Sequence, residues 1–208
     1  MNTKKALFID LDNTIYPAAS IGNELFKDLF SLIAEDEDHL ADLENIKKSI
    51  LRKPFHHVAK EFNMSESLYE KSINHLVELE YEGKIPFFED YVHLKKLPQT
   101  KFLITAGFTK LQTSKIKQLN LQEDFEAFYI MDFTKTDETK IHAFQKIIKE
   151  YNFKASEILI IGDDPDSEIK AGKELGIDCV LYDSLNLFEH KTDLIRITNF
   201  SALAEFLS

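Results

Sequence analysis

"ALFIDLDNTIYP", residues 6 to 17, is an apolar run that stops abruptly at two aspartates one residue apart. Its first half has the length and the Ile, Leu and Phe content of a strand buried on both faces. Runs of the same kind recur as "KFLIT" (101 to 105), "AFYIM" (127 to 131), "EILIIG" (157 to 162) and "DCVLYD" (178 to 183). Between the later runs lie helical patterns at 109 to 119, 138 to 151 and 166 to 175, with apolar residues near three- and four-residue spacing. Strand and helix in alternation predict right-handed crossovers and an α/β fold with a doubly wound parallel sheet. A weaker strand, "LIRIT" (194 to 198), and a short terminal helix, "SALAEFL", complete the pattern.

From residue 18 to 91 that rhythm is absent. "IGNELFKDLFSLIAED", "LADLENIKKSILRK", "FHHVAKEFN" and "ESLYEKSINHLVELEYEG" each read as amphipathic helices, punctuated by Pro54 and Gly83. The expected organisation is therefore a core made of residues 1–17 and 92–208, with a helical cap domain, residues 18–91, inserted after the first strand. Open parallel sheets bind ligands at the carboxyl ends of their strands, so a segment leaving from the first such end is placed to cover the site.

Composition narrows the function. The chain has 208 residues and a formal charge of −11, from 36 acidic and 25 basic residues. That balance repels the phosphate backbone of a nucleic acid polymer and leaves a small ligand or a cation as the expected partner. The single cysteine, Cys179, excludes an internal disulfide or a multi-cysteine metal site and fits a reducing compartment. No apolar run approaches the roughly 18 residues of a membrane span, and the first residues do not read as a signal peptide. A cytoplasmic monomer or homodimer, with no membrane partner, is expected.

The chemistry gathers at the strand ends. Asp10 and Asp12 follow the first strand, Thr105 ends the second, a lysine follows the third, and Gly162, Asp163 and Asp164 end the fourth. Carboxylates converging at close range repel one another unless a cation neutralises them, and hard oxygen ligands suit Mg²⁺. Thr105, with the backbone N–H groups of Ala106 and Gly107, offers a cradle for phosphate. Carboxylate, divalent metal, oxyanion cradle and lysine together make a phosphoryl-transfer site.

At these residues the sequence resembles the haloacid dehalogenase superfamily of phosphohydrolases, whose core is Rossmann-like. "DLDNT" (10 to 14) matches its first motif, Asp-x-Asp-x-Thr, while "FLITAG" (102 to 107) and "LIIGDDPDSEIKAGKELG" (159 to 176) resemble the second and fourth. The helical insertion looks like the cap of the group that includes phosphoglycolate phosphatases and nucleotidases. "DNTIYP" is similar to the "DNTLYP" of pyrimidine nucleotidase-like members. The resemblance implies that Asp10 is the nucleophile and forms an aspartyl-phosphate. It makes Asp12 the general acid and then the base, and Thr105 a donor to the phosphoryl group. Mg²⁺ would be held by Asp10, the backbone carbonyl of Asp12 and Asp163. The implied activity is hydrolysis of a small phosphorylated metabolite, with a nucleoside monophosphate as the first guess. A phosphomutase and a non-catalytic phosphate-binding domain are the alternatives.

Three departures from the family pattern stand out. Ala106 replaces the Asn that often follows the second-motif Thr, Glu168 occupies the place of a second fourth-motif Asp, and the third-motif lysine is either Lys140, four residues before Phe144, or Lys135 as the fallback. Lys140 is preferred. Asp164 and Asp166 read as helix-capping acids, Cys179 as a small core residue, and "RKPFHH" (52 to 57) as a basic, solvated loop.

Overall fold

A computed structural model describes residues 3–208. Its sheet has six parallel strands, β1 (Ala6–Ile9), β2 (Thr100–Ala106), β3 (Ala127–Met131), β4 (Ile158–Gly162), β5 (Asp178–Tyr182) and β6 (Arg196–Ile197), in the order β3-β2-β1-β4-β5-β6. In that order the winding reverses at β1, and a crevice opens at the carboxyl ends of β1 and its neighbours. Sequence and position coincide here: the polar residues singled out above sit at this edge.

Successive side chains of a strand point to opposite faces, so β1 divides its apolar residues between two cores. Leu7 and Ile9 pack into one together with Leu103, Ile161 and Val180. Ala6 and Phe8 pack into the other with Phe102, Ile160, Phe144 and Ile147. Helices α6 (Tyr91–Lys95) and α7 (Thr109–Gln118) contribute Leu94 and Leu111 to the first face; α8 (Lys140–Tyr151) covers the second, against which α9 (Glu168–Glu174) packs Ala171. By this parity Asp10, two residues beyond Phe8, belongs to the α8 side.

Between β1 and β2 run α1 (Ala19–Leu25), α2 (Lys27–Ala34), α3 (Leu43–Ile50), α4 (Phe55–Glu61) and α5 (Glu66–Glu78). The continuous helix expected over 21 to 36 is two helices, broken at Phe26 (φ −101°, ψ 16°). Leu25 and Phe26 are both buried, and a straight helix turns adjacent side chains about 100° apart; the break lets both face inward. Helix α5 starts where Ser65 Oγ accepts from the Leu68 N–H (3.2 Å), and α8 ends at Asn152, in the left-handed conformation that asparagine tolerates.

Two other expectations are corrected. β3 is only half-buried over Ala127 to Ile130, because it is an edge strand with one neighbour. The terminal helix is a 3₁₀ helix, Phe200–Phe206, whose three-residue turn puts the buried Phe200 and Leu203 on one line. Among the described residues no helix is long and apolar enough to cross a membrane.

Candidate active site

The chain after β1 turns back at once. Asp10 N–H still donates to the Ile161 carbonyl (3.0 Å), as in the sheet, but the Leu11 carbonyl then accepts from both Thr14 N (3.3 Å) and Ile15 N (2.9 Å). Asn13 sits at φ 58°, and its side chain secures the turn by accepting from Ala18 N (3.1 Å) and donating to the Leu51 carbonyl (3.2 Å). The turn leaves Asp10 and Asp12 on one cavity of about 140 Å³, which Thr105, Lys140 and Asp163 also line. All five of the sequence-selected residues therefore meet.

Lys140 opens α8 and reaches across to β1. Its Nζ donates to Asp10 Oδ1 (2.5 Å) and to Glu168 Oε2 (2.6 Å), and all three side chains are buried. Burial disfavours the ammonium, but the Asp10 and Glu168 carboxylates outweigh it and hold Lys140 well above the ordinary lysine value. Lys135, the fallback, is exposed and lies 3.5 Å from Asp132. For Asp10, burial dominates: against the pull of Lys140, and with added repulsion from Glu168 and Asp12, its carboxyl is pushed up to about 7. A freely ionised nucleophile, expected from the ordinary aspartate value, is thus not what burial alone supplies. Glu168, whose role the sequence left open, accepts from both Lys140 and the Asp164 N–H (2.8 Å).

Asp12 is held by three donors. Tyr16 hydroxyl and Lys115 Nζ (2.8 Å) donate to Oδ1, and Gln112 Nε2 (2.8 Å) donates to Oδ2. Burial raises the Asp12 carboxyl, but Lys115 and Gln112 more than offset it, leaving it below the usual range. Lys115 and Gln112 were not among the sequence candidates. Both lie on α7, where "TKLQTSKIKQL" reads as an ordinary amphipathic helix; Gln112 and Lys115 are buried on its core-facing side by tertiary packing, which no local sequence signal marks.

The phosphate cradle needs one correction. Gly107 N–H donates to the Met131 carbonyl (3.0 Å), continuing the β2–β3 ladder, and so is not free for a ligand. Thr105 accepts at Oγ1 from Gln112 Nε2 (2.7 Å). Asp163 pairs with Arg52 (3.0 Å), so the stretch read as a solvated basic loop sends one side chain into the site. Burial, then the charges of Glu168 and Asp10, push Asp163 well above the usual carboxylate range against the pull of Arg52 and Lys140. Lys53 does match the solvated reading, pairing with Glu61 (2.7 Å) on the surface.

A family model for haloacid dehalogenase-like hydrolases matches residues 4–176. The chain belongs to this family. Among curated relatives of this hydrolase, the glyceraldehyde 3-phosphate phosphatase of Pyrococcus furiosus is 25% identical over 196 residues, covering 88% of this chain and 82% of the relative. Among solved structures, the HAD-hydrolase YfnB of Bacillus subtilis bound to magnesium superposes with a TM-score of 0.68 at 19% identity, over the full length of both chains. A HAD phosphatase from Thermococcus onnurineus gives 0.67 at 16% identity over 98% of each chain. These structural likenesses establish a shared fold.

Other residues of the hydrolase act as scaffold. Asp164 Oδ1 accepts from the Asp166 N–H (2.8 Å) in a turn ahead of α9, so these acids do not cap the helix as expected: Ser167 is its N-cap, with no side-chain capping bond. Cys179 packs against Gly172, and burial pushes its thiol up to about 12, far from reactive. Asp132, buried after β3, accepts from the N–H and hydroxyl of Thr109 (2.8 and 2.7 Å) and of Thr134 (3.1 and 2.6 Å), pinning the start of α7. Burial raises its carboxyl, but these donors, Thr134 and Thr109 hydroxyls first, bring it below the ordinary value. A depressed folded-state value stabilises the fold above the unfolded pKa and is lost as pH falls through the folded one. Asp132→Asn is expected to cost about 2 kcal/mol at pH 7, as hydrogen bonds to a charged group do. In thermal melts the gap to wild type should close below pH 4.

Proposed function

We propose that this hydrolase is a Mg²⁺-dependent phosphomonoesterase acting on a small phosphorylated metabolite. The observation that carries the reading is the Asp10 carboxylate held by Lys140 in the same cavity as Asp12, Thr105 and Asp163. Asp10 attacks phosphorus, forming an Oδ–P bond as the ester P–O bond breaks, and the leaving oxygen takes a proton from Asp12. Water then attacks the aspartyl-phosphate and gives a proton to Asp12, returning Asp10 and releasing phosphate. The three donors around Asp12 favour its carboxylate form, which the second step needs; the first step draws on the protonated form, which the same donors disfavour. Lys140 keeps Asp10 oriented and offsets the charge that gathers on the phosphoryl oxygens.

The donor set fits a hard cation. Asp10 and Asp163 are oxygen ligands crowded with Glu168, and burial first, then the Glu168 charge, raises both carboxyls against the pull of Lys140. Among the described residues no three His, Cys, Asp or Glu side chains are arranged to hold a metal. The proposed set uses two carboxylates and the Asp12 carbonyl, leaving other positions to water and substrate, as Mg²⁺ accepts. When bound, Mg²⁺ supplies positive charge to the carboxylates and to the transferring phosphoryl group.

For the substrate, the 140 Å³ cavity beside Asp12 is well below the roughly 300 Å³ at which pockets hold drug-sized ligands. We read residues 18–91 as a cap whose Leu25, Leu51 and Leu76 close this chamber over a core of residues 1–17 and 92–208. A three- or four-carbon sugar phosphate suits it, in keeping with the glyceraldehyde 3-phosphate phosphatase relative. A nucleoside monophosphate is the second reading. It is favoured by an adjoining cleft of about 970 Å³ where the His56 ring lies 4.2 Å from that of Phe133. A reducing, cytoplasmic setting accords with the lone thiol.

The test is phosphate release from triose phosphates, nucleoside monophosphates and an aryl phosphate, with Mg²⁺ and with chelator. Release only with Mg²⁺, at least about tenfold faster in kcat/KM for triose phosphates, is expected from a small, snug chamber. Equal release with chelator would remove the metal from the proposal, and preference for nucleotides would shift the substrate to the cleft.

A further inference from the structure

We propose that Gln112 is a positioning residue that aims the Thr105 hydroxyl hydrogen at the phosphoryl group. This rests on the phosphatase reading above. Gln112 is 1% exposed, and its Nε2 lies 2.7 Å from Thr105 Oγ1, 2.8 Å from Asp12 Oδ2 and 3.2 Å from the Ala106 carbonyl. Turned the other way, the amide would set its oxygen against a carboxylate and a carbonyl with no hydrogen between them, so the nitrogen faces this group. Its two hydrogens serve the two shorter contacts.

The consequence falls on Thr105. An amide nitrogen only donates, so Thr105 Oγ1 is the acceptor and its own hydrogen is left uncommitted. Among the described residues no acceptor takes it. A hydroxyl that accepts from a fixed donor turns its hydrogen away from that donor, and the cavity that Thr105 shares with Asp10 is where the phosphoryl oxygens would lie. Gln112 is itself held in place: a β-carbon on Gly107 would stand 3.1 Å from Gln112 Cδ, so that glycine lets the amide lie tight against the backbone.

A double-mutant cycle tests this, because a residue acting through another loses its effect when the other is gone. Gln112→Met keeps chain length and removes the donor; Thr105→Val keeps shape and removes the hydroxyl. With Mg²⁺ present, kcat and KM are measured for an aryl phosphate and an alkyl phosphate. Gln112→Met should lower kcat about tenfold, the weight of one hydrogen bond to a developing charge, with KM changed less than about twofold. In the Thr105→Val background the same change should cost less than about twofold. The loss should be equal for both substrates, since the phosphate cradle serves both.

Full multiplication of the two single losses would overturn the proposal. So would a loss confined to the alkyl phosphate, whose poor leaving group depends on Asp12, because Gln112 would then act through the acid. If Gln112→Met does not fold, Gln112→Leu, which also lacks the donor and adds no charge beside Asp12, takes its place in the cycle. Absence of phosphate release from the wild-type protein on every substrate would instead overturn the phosphatase reading, an outcome distinct from an active enzyme with additive losses.

Discussion

Asp10→Asn is expected to abolish phosphate release, lowering kcat by at least about a thousandfold, the scale on which removal of an attacking group acts. The variant should stay folded. The amide occupies the volume of the carboxylate, and Lys140 keeps its pair with Glu168 at 2.6 Å. Loss of like-charge repulsion from Glu168 and Asp12 even relieves the site, since those charges help push Asp10 up to about 7. Circular dichroism separates loss of chemistry from loss of structure. Acid quenching of the wild type during turnover should trap a phosphoryl group on the chain, and the variant should carry none. An Asp10→Asn protein with wild-type turnover would place the nucleophile elsewhere.

Lys140→Met is expected to damage stability and activity together. Removing the ammonium leaves Asp10 and Glu168 facing each other in a buried site without the cation they share, which in the presence of chelator costs about 3–5 kcal/mol. Denaturant unfolding at neutral pH measures it. Turnover should fall at least about a hundredfold, because the charge stabilising the transferring group is gone. Lys135→Met is the comparison. Its ammonium is exposed and 3.5 Å from Asp132, so the change should stay within about 0.5 kcal/mol and leave turnover near wild type. Equal losses from both replacements would undo the assignment of Lys140 to the site.

The order of elements was legible because buried parallel strands are short continuous apolar runs, which few other structures produce. "ALFID", "KFLIT" and "EILIIG" are such runs, and each lies where the sheet has a central strand. The polar residues that end them could be picked out by the same logic, since Asp10, Thr105 and Asp163 interrupt apolar sequence at a strand's carboxyl end. Lys140 was preferred over Lys135 only by its distance from Phe144. Its contact with Asp10 depends on how α8 lies against β1, at 130 residues' separation.

The less legible residues share one property: their partners are far along the chain. Gln112 and Lys115 meet Asp12 across 100 and 103 residues, and Arg52 meets Asp163 across 111. Within α7 a glutamine and a lysine look like solvent-facing residues, and nothing local shows that the packing of α7 against β2 turns them inward. The Gly107 N–H was assigned to the ligand because a strand followed by a helix normally frees such donors; one further residue of β2–β3 pairing uses it instead.

By itself, then, the amino-acid sequence determined the alternation of strands and helices, the helical insertion after the first strand and the carboxylates at the strand ends, because burial and periodicity are written along the chain. Only the tertiary structure decided which cations meet those carboxylates, how Asp12 and Thr105 are tied through Gln112, and how far burial shifts Asp10 from an ordinary aspartate. Electrostatic and hydrogen-bond partners are chosen by distance in space, and desolvation by the depth of the surrounding atoms, and neither quantity exists until the chain has folded.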